Sequence, residues 1–229
     1  MIMIKKMMKP VLVFIIVLMV GGCTINKDTP KPLSYYYTEA EKALLTESYE
    51  HALENYMKVL TILHNGDEDV DMAMSEGVVY FDIGYSYEQL GHEDKAIEAY
   101  MKAAGDPTAS TLAKTALGNI YFHQKAYDKS KAYYEEVILE DNNAYEAFVN
   151  LSAIYALQED QAMALSLLTQ AIDIDSTRPD ALLNRAYLFA CIGDEALMNN
   201  DIKALKEMNF SSLDVYLKIY DDVLKEVKR

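Results

Sequence analysis

The groups in this chain that could do chemistry are two thiols, four imidazoles and a surplus of carboxylates. A metal centre draws His, Cys, Asp or Glu together at short, characteristic spacings. No two of His51, His64, His92 and His123 stand at such a spacing. The acidic segment 67–76, DEDVDMAMSE, invites a calcium reading. A calcium loop opening at Asp67 would need Gly at position 72 and Glu at position 78, where the chain has Met72 and Val78. The segment reads instead as a solvated acidic loop whose charge suits the positive end of the helix that follows. Cys191 lies in an apolar helical stretch and reads as a small packed residue. There is no phosphate-cradling glycine loop, no Ser, His and Asp arrangement is suggested, and the carboxylates are too scattered for a catalytic pair to stand out. The expectation is a protein that is not an enzyme and takes no metal or cofactor. The chemistry that remains is recognition, by amides that both donate and accept hydrogen bonds and by flat aromatic rings.

Those groups are carried on a repeated unit. The stretch 83–104, IGYSYEQLGHEDKAIEAYMKAA, recurs along the chain. Gly84 has counterparts at Gly118, Ser152 and Ala186, and Tyr87 at Tyr121, Tyr155 and Phe189. Ala96 corresponds to Ser130, Ala164 and Met198, and Tyr100 to Tyr134, Leu168 and Ile202; every step is 34 residues. A fixed period of this size marks a solenoid, in which each unit buries its apolar face only by stacking on a neighbour. Tyr80, Ile83, Gly84 and Tyr87 fall at i, i+3, i+4 and i+7, one face of a helix. After a turn, Ala96, Tyr100 and Ala103 share a face of a second helix. Small residues at 84 and 96 let the two helices approach closely, giving an αα-hairpin.

In order, Tyr80, Ile83-Gly84, Tyr87, Gly91, Ala96, Tyr100 and Ala103 form a pattern that resembles the tetratricopeptide repeat family. The next repeat supplies Leu117-Gly118, Tyr121, Tyr127, Tyr134 and Val137, and the one after it Phe148, Leu151-Ser152, Tyr155, Ala164, Leu168 and Ala171. The resemblance covers about 130 residues. It implies an all-α, right-handed αα-hairpin solenoid over 34–210, with about five repeats at 33–66, 77–110, 111–144, 145–178 and 179–210. Residues 211–229 would form a capping helix, with Leu213, Tyr216, Ile219, Tyr220 and Leu224 as its apolar stripe. It also implies a concave groove lined by fixed first-helix positions. By register these are Phe81, Tyr85 and Glu88; Thr115, Asn119, Phe122 and His123; Val149, Asn150 and Ala153; and Leu183, Asn184 and Tyr187. Asn119, Asn150 and Asn184 could hold the backbone of an extended peptide, with Phe81, Tyr85, Phe122 and Tyr187 offering apolar area beside them. The same asparagines also fit the repeat consensus with no ligand in view. Family members that clamp a terminal carboxylate use groove lysines and an arginine; here Thr115, Glu146 and Asn150 stand at the corresponding positions, so that clamp is absent.

Ahead of the repeats lies MIMIKKMMKPVLVFIIVLMVGGC, with a basic start at Lys5, Lys6 and Lys9 and an unbroken apolar run over 11–20. The run is short for a membrane-spanning helix and has the flanks of a signal peptide. Val20-Gly21-Gly22-Cys23 resembles the bacterial lipobox, with Val20 where Leu is usual. That resemblance implies a signal peptide over 1–22, a lipidated Cys23 and a tether over 23–33, and leaves Cys191 with no disulfide partner in the chain. Several acyl chains anchor a protein stably where one alone is marginal. Thr24, not Asp, follows the cysteine. The implied site is the outer membrane of a Gram-negative host or the outer face of the cell membrane of a Gram-positive one.

The net charge is −15, and −18 once Lys5, Lys6 and Lys9 are set aside. So acidic a surface repels nucleic-acid phosphates and favours a basic or neutral protein or peptide partner. Ala52 precedes Ala96 by 44 residues rather than 34, so an insertion separates the first two repeats. The reading that results is a lipid-anchored protein-binding scaffold of the bacterial envelope. A cell-surface binding protein for a peptide or glycan is the alternative, and self-association is a third possibility.

Overall fold

Each repeat folds as a helix pair because its small and large residues are complementary across the hairpin. The structure, a computed structural model, describes residues 31–65 and 75–227, and every regular element in them is a helix. In order these are α1 (Leu33–Leu45), α2 (Tyr49–Asn65), α3 (Glu76–Gln89), α4 (Glu93–Ala104), α5 (Ser110–His123), α6 (Tyr127–Glu140), α7 (Tyr145–Leu157), α8 (Gln161–Ile174), α9 (Pro179–Ile192), α10 (Glu195–Glu207) and α11 (Leu213–Val227). The expected signal peptide, Cys23, most of the expected tether and most of the acidic segment 67–76 lie outside the described residues.

The helices pair consecutively, α1 with α2 through α9 with α10, and each second helix of a pair packs on the first helix of the next. This is the connectivity expected of stacked αα-hairpins. Within a pair the close approach is tightest at the glycines. A Cβ on Gly84 would lie 2.6 Å from the Tyr100 ring, and one on Gly118 would lie 2.5 Å from the Tyr134 ring. Where the first helix carries Ser152 or Ala186 instead, the second offers Leu168 or Ile202 rather than tyrosine. All of these residues are buried.

The hairpin turns repeat the period in their backbone. Glu47, Gly91, Lys125, Glu159 and Gly193 all have positive φ, between 56° and 79°. The last four are 34 residues apart. Gly91 and Gly193 adopt this left-handed conformation without strain, whereas Lys125 and Glu159 carry a side chain into it. The turn is therefore fixed by the packing of the two helices, and glycine only eases it. Asp160 and Asp194 then cap α8 and α10, accepting from the backbone N–H of Met163 and Leu197 at 3.0 Å. The start of α3 is held from the far end of its own repeat: Asp106 accepts from the Ser75 hydroxyl and from the Gly77 N–H. The Ser75 and Thr108 hydrogen bonds hold the Asp106 carboxyl well below the usual carboxylate range.

The fifth repeat adds an ionic lock. Arg185 on α9 grips the buried Asp201 on α10 with two hydrogen bonds, Nε to Oδ2 at 2.9 Å and Nη2 to Oδ1 at 2.7 Å. Its Nη1 also donates to Thr169 of α8 at 3.1 Å. Met198, at the position where a small residue is usual, is fully buried in this region beside Ile202.

The capping helix α11 makes its long contact with α9. Leu213 joins Leu183, the Tyr220 hydroxyl donates to the Leu183 carbonyl at 2.8 Å, and Leu224 joins Ala190. A Cβ on Gly193 would touch Val227 at 3.4 Å. Of the apolar stripe expected for this helix, Leu213, Tyr220 and Leu224 are buried and Tyr216 partly so, while Ile219 is 43% exposed. The stripe is narrower than its sequence suggests because only one side of α11 meets α9.

Candidate functional site

The expected binding residues lie on first helices, so their geometry follows from how neighbouring first helices meet. Asn119 on α5 is the junction. Its Oδ1 accepts from the Tyr134 hydroxyl of α6 at 2.7 Å and from the Asn150 Nδ2 of α7 at 2.9 Å. One amide thus ties three helices across two repeats. Both asparagines are half-buried. Among the described residues no hydrogen bond uses the Asn119 Nδ2 or the Asn150 Oδ1, which leaves one donor and one acceptor of the pair unused. A peptide backbone offers the complementary pair. Burial raises the Tyr134 phenol to about 12, so at neutral pH it is a fixed donor to Asn119.

The other expected residues are placed less closely together. Asn184 is exposed on α9, and among the described residues no hydrogen bond joins it to Asn150. Tyr187 is 43% exposed and its ring lies 6.5 Å from that of Tyr220, so α11 flanks it. Phe81 tilts against Tyr100 at 5.5 Å, and Tyr85 meets Tyr49 edge to face at 6.1 Å. Phe122 meets Tyr127 edge to face at 5.7 Å and His123 at 6.0 Å. Phe81 and Phe122 are partly buried against their own repeats and Tyr85 against the repeat before it, and each keeps some surface open.

A second polar junction, between α1 and α3, escapes sequence reasoning. Glu41 accepts from the Tyr56 hydroxyl at 2.8 Å, and Asp82 sits within electrostatic range of both. Burial, reinforced by the charge of Glu41 and opposed by Tyr56, raises the Asp82 carboxyl to about 7. The Tyr56 phenol is pushed far above its ordinary range by burial and by the same two acids. Two signals could have exposed this junction. Asp82 precedes Asn150 by two periods of 34, and Tyr56 precedes Tyr100 by the same 44 residues that separate Ala52 from Ala96. The insertion between the first two repeats hides the equivalence of Glu41 and Asn119.

The raised carboxyl has a measurable consequence. Folded Asp82 takes up its proton as pH falls through about 7, whereas in an unfolded chain an aspartate does so near 4. Between those values the folded state binds more protons, so stability declines as pH rises from about 4 to about 7. Asp82→Asn should melt higher than the parent at pH 8, by roughly 5 °C. At pH 4.5 the two should melt almost together. A thermal melt at both pH values checks this; equal melting at pH 8 would place Asp82 in a solvated, unshifted setting.

Among the described residues no group of three His, Cys, Asp or Glu side chains is arranged to hold a metal ion. No described helix is long and apolar enough to cross a membrane.

Comparison with known proteins bears on the repeat itself. A tetratricopeptide-repeat profile matches residues 78–105 and 113–143. "Tetratricopeptide repeat protein 1" of Schizosaccharomyces pombe is 24% identical over 132 residues, which is 57% of this chain and 13% of that protein. This chain therefore spans only a small part of that relative's length. Among solved structures, MamA from Desulfovibrio magneticus RS-1 superposes with a TM-score of 0.62 at 16% identity, over 78% of this chain and 96% of the other. YrrB, described as a tetratricopeptide-repeat protein with an unusual peptide-binding site, superposes with a TM-score of 0.57 at 19% identity, over 80% of this chain and 90% of its own. At these identities the structural likeness concerns the fold. Profile, relative and fold agree with the 34-residue period and the consecutive helix pairs, and residues 78–105 and 113–143 of this chain match the tetratricopeptide repeat.

Proposed function

We propose that this protein is a non-catalytic binding scaffold that holds an extended segment of a partner protein or peptide against the face formed by its first helices. The Asn119–Asn150 pair carries this reading, because it presents an unused donor and an unused acceptor together on that face. YrrB, a protein of the same fold with an unusual peptide-binding site, supports it. Phe81, Tyr85 and Phe122 supply apolar area along the same face, and the net charge of −15 favours a basic or neutral partner over a nucleic acid. The lipobox-like Val20-Gly21-Gly22-Cys23 supports lipid anchoring at a bacterial envelope membrane, outer membrane or cell membrane according to the host.

Two substitutions test the two halves of this reading. Asn119→Ala combined with Asn150→Ala should weaken partner capture by about tenfold or more while the helix content is kept. Crosslinking in native membranes, followed by identification of the captured species, is the measurement. Capture undiminished by the double variant would move the binding surface elsewhere; saturable uptake of a small peptide or glycan instead of a protein would convert the scaffold into a ligand-binding protein. Cys23→Ala should abolish lipid labelling and release the protein from the membrane fraction, and labelling that persists would refute the anchor.

A further inference from the structure

We propose that the first-helix face takes an extended segment bearing a lysine or arginine, and that this cation seats between Glu41 and Asp82. The inference deepens the reading above and rests on it. It starts from an equivalence that the structure makes visible. Glu41 stands to Asp82 as Asn119 stands to Asn150. The first member of each pair directly follows the small residue of its helix, Ala40 or Gly118. The second stands two residues before the small residue of the next first helix, Gly84 or Ser152. The first member of each pair also accepts from the second-helix tyrosine of its own repeat, Tyr56 at 2.8 Å and Tyr134 at 2.7 Å. The place occupied by two amides in one half of the face is thus occupied by two carboxylates in the other.

The carboxylates lack what the amides have. Asn150 donates to Asn119 through a permanent N–H, whereas Asp82 can donate to Glu41 only while it holds a proton, and the Tyr56 hydroxyl gives its own proton to Glu41. Among the described residues no lysine or arginine pairs with either acid. Lys42 pairs with Glu39, Lys58 with Glu54 and Lys102 with Glu98. The groups around Asp82 are Glu41 and Tyr37 from α1, Tyr56 from α2 and Tyr100 from α4, all neutral or acidic. A desolvated acid pair with no cation relieves its cost by taking up a proton, and a bound cation can take that proton's place. The complement is a cation that brings several N–H donors, with phenol rings beside it to receive its alkyl stem.

The face also sets the scale of the segment. With first helices about 10 Å apart, the carboxylate pair and the amide pair are roughly 20 Å apart, or about six extended residues. Beyond α7 the face runs into α11, which packs along α9 beside Tyr187.

The test uses acetylated nonapeptide amides of alternating threonine and valine, with one lysine or arginine near an end, and the same peptides with norleucine in its place. Binding to the full chain is followed by calorimetry. The lysine and arginine peptides should bind about tenfold more tightly than the norleucine peptide, with the advantage shrinking as salt rises. Glu41→Gln and Asp82→Asn, which keep the shape of the side chains, should each erode that advantage and together remove it. Their melting curves confirm folding. Asn119→Ala with Asn150→Ala should weaken all the peptides alike. If norleucine serves as well as lysine, or the advantage survives both amide substitutions, the cation seat is wrong, while dependence on Asn119 and Asn150 would keep the groove reading. If no peptide binds, or binding ignores all four residues, the groove reading falls with it.

Discussion

Asp201→Ala is expected to lower the unfolding free energy by about 3–4 kcal/mol, the range for breaking a buried ion pair from one side. The Asp201 side chain is 5% exposed and that of Arg185 19%. The substitution leaves a guanidinium largely enclosed, with Thr169 as its remaining side-chain acceptor. The loss should appear as a fall in melting temperature of about 10 °C, at the 2–4 °C per kcal/mol usual for a domain of this length. Replacing both members at once, Arg185→Met with Asp201→Leu, should recover most of it, because an apolar pair of similar volume requires no desolvated charge. A single-variant loss under 1 kcal/mol would show that the guanidinium swings out to water, and the pair would then rank with the exposed ion pairs of this surface.

Gly118→Ala is the second large effect. In an unconstrained helix the change would stabilise by up to about 1 kcal/mol. Here the added Cβ would lie 2.5 Å from the Tyr134 ring, which is 1% exposed and pinned through its hydroxyl to Asn119. Neither group can yield without parting α5 from α6, and forced overpacking of this kind costs about 1–3 kcal/mol. A net destabilisation of about 2 kcal/mol is expected, with partner binding weakened as well because Asn119 moves with the ring. Gly105→Ala is the control. A Cβ there would meet the Lys102 backbone oxygen at 3.4 Å, and no ring stands in the way. If Gly118→Ala melts like Gly105→Ala, the glycine at this position has no packing role.

The helix pairs were legible because their information is local and repeated. Gly84, Tyr87, Ala96 and Tyr100 recur at a constant spacing, and a period of 34 admits few other architectures. Which helix a stripe packs against is not local. Leu213, Tyr220 and Leu224 announce that α11 is buried on one side, but nothing in them says that α9 receives it. The turn at Lys125 carried no glycine to mark its left-handed backbone, because helix packing imposes it. In the candidate site the asparagines were visible as residues, but their mutual hydrogen bond was not. It depends on the offset between Asn119 on one repeat and Asn150 on the next, a property of stacking. Glu41 was missed because the insertion between the first two repeats breaks the register that would have aligned it with Asn119; Asp82 keeps its register with Asn150, but its pairing with Glu41 is again a property of stacking.

The tyrosines of the second helices carry a practical consequence. The chain has 18 tyrosines and no tryptophan, so phenols account for nearly all of its intrinsic emission. Tyr56 and Tyr100 each donate to a carboxylate, Glu41 at 2.8 Å and Glu88 at 2.7 Å, whereas Tyr134 donates to a neutral amide. An excited phenol bound to a carboxylate readily passes its proton across and is quenched more strongly than one bound to a neutral amide. A cation arriving at Glu41 would weaken its hold on the Tyr56 proton and restore that ring's light. Unlabelled protein would therefore brighten in its tyrosine emission as such a ligand docks, and a single photometer trace would register occupancy of this face before any partner has been identified.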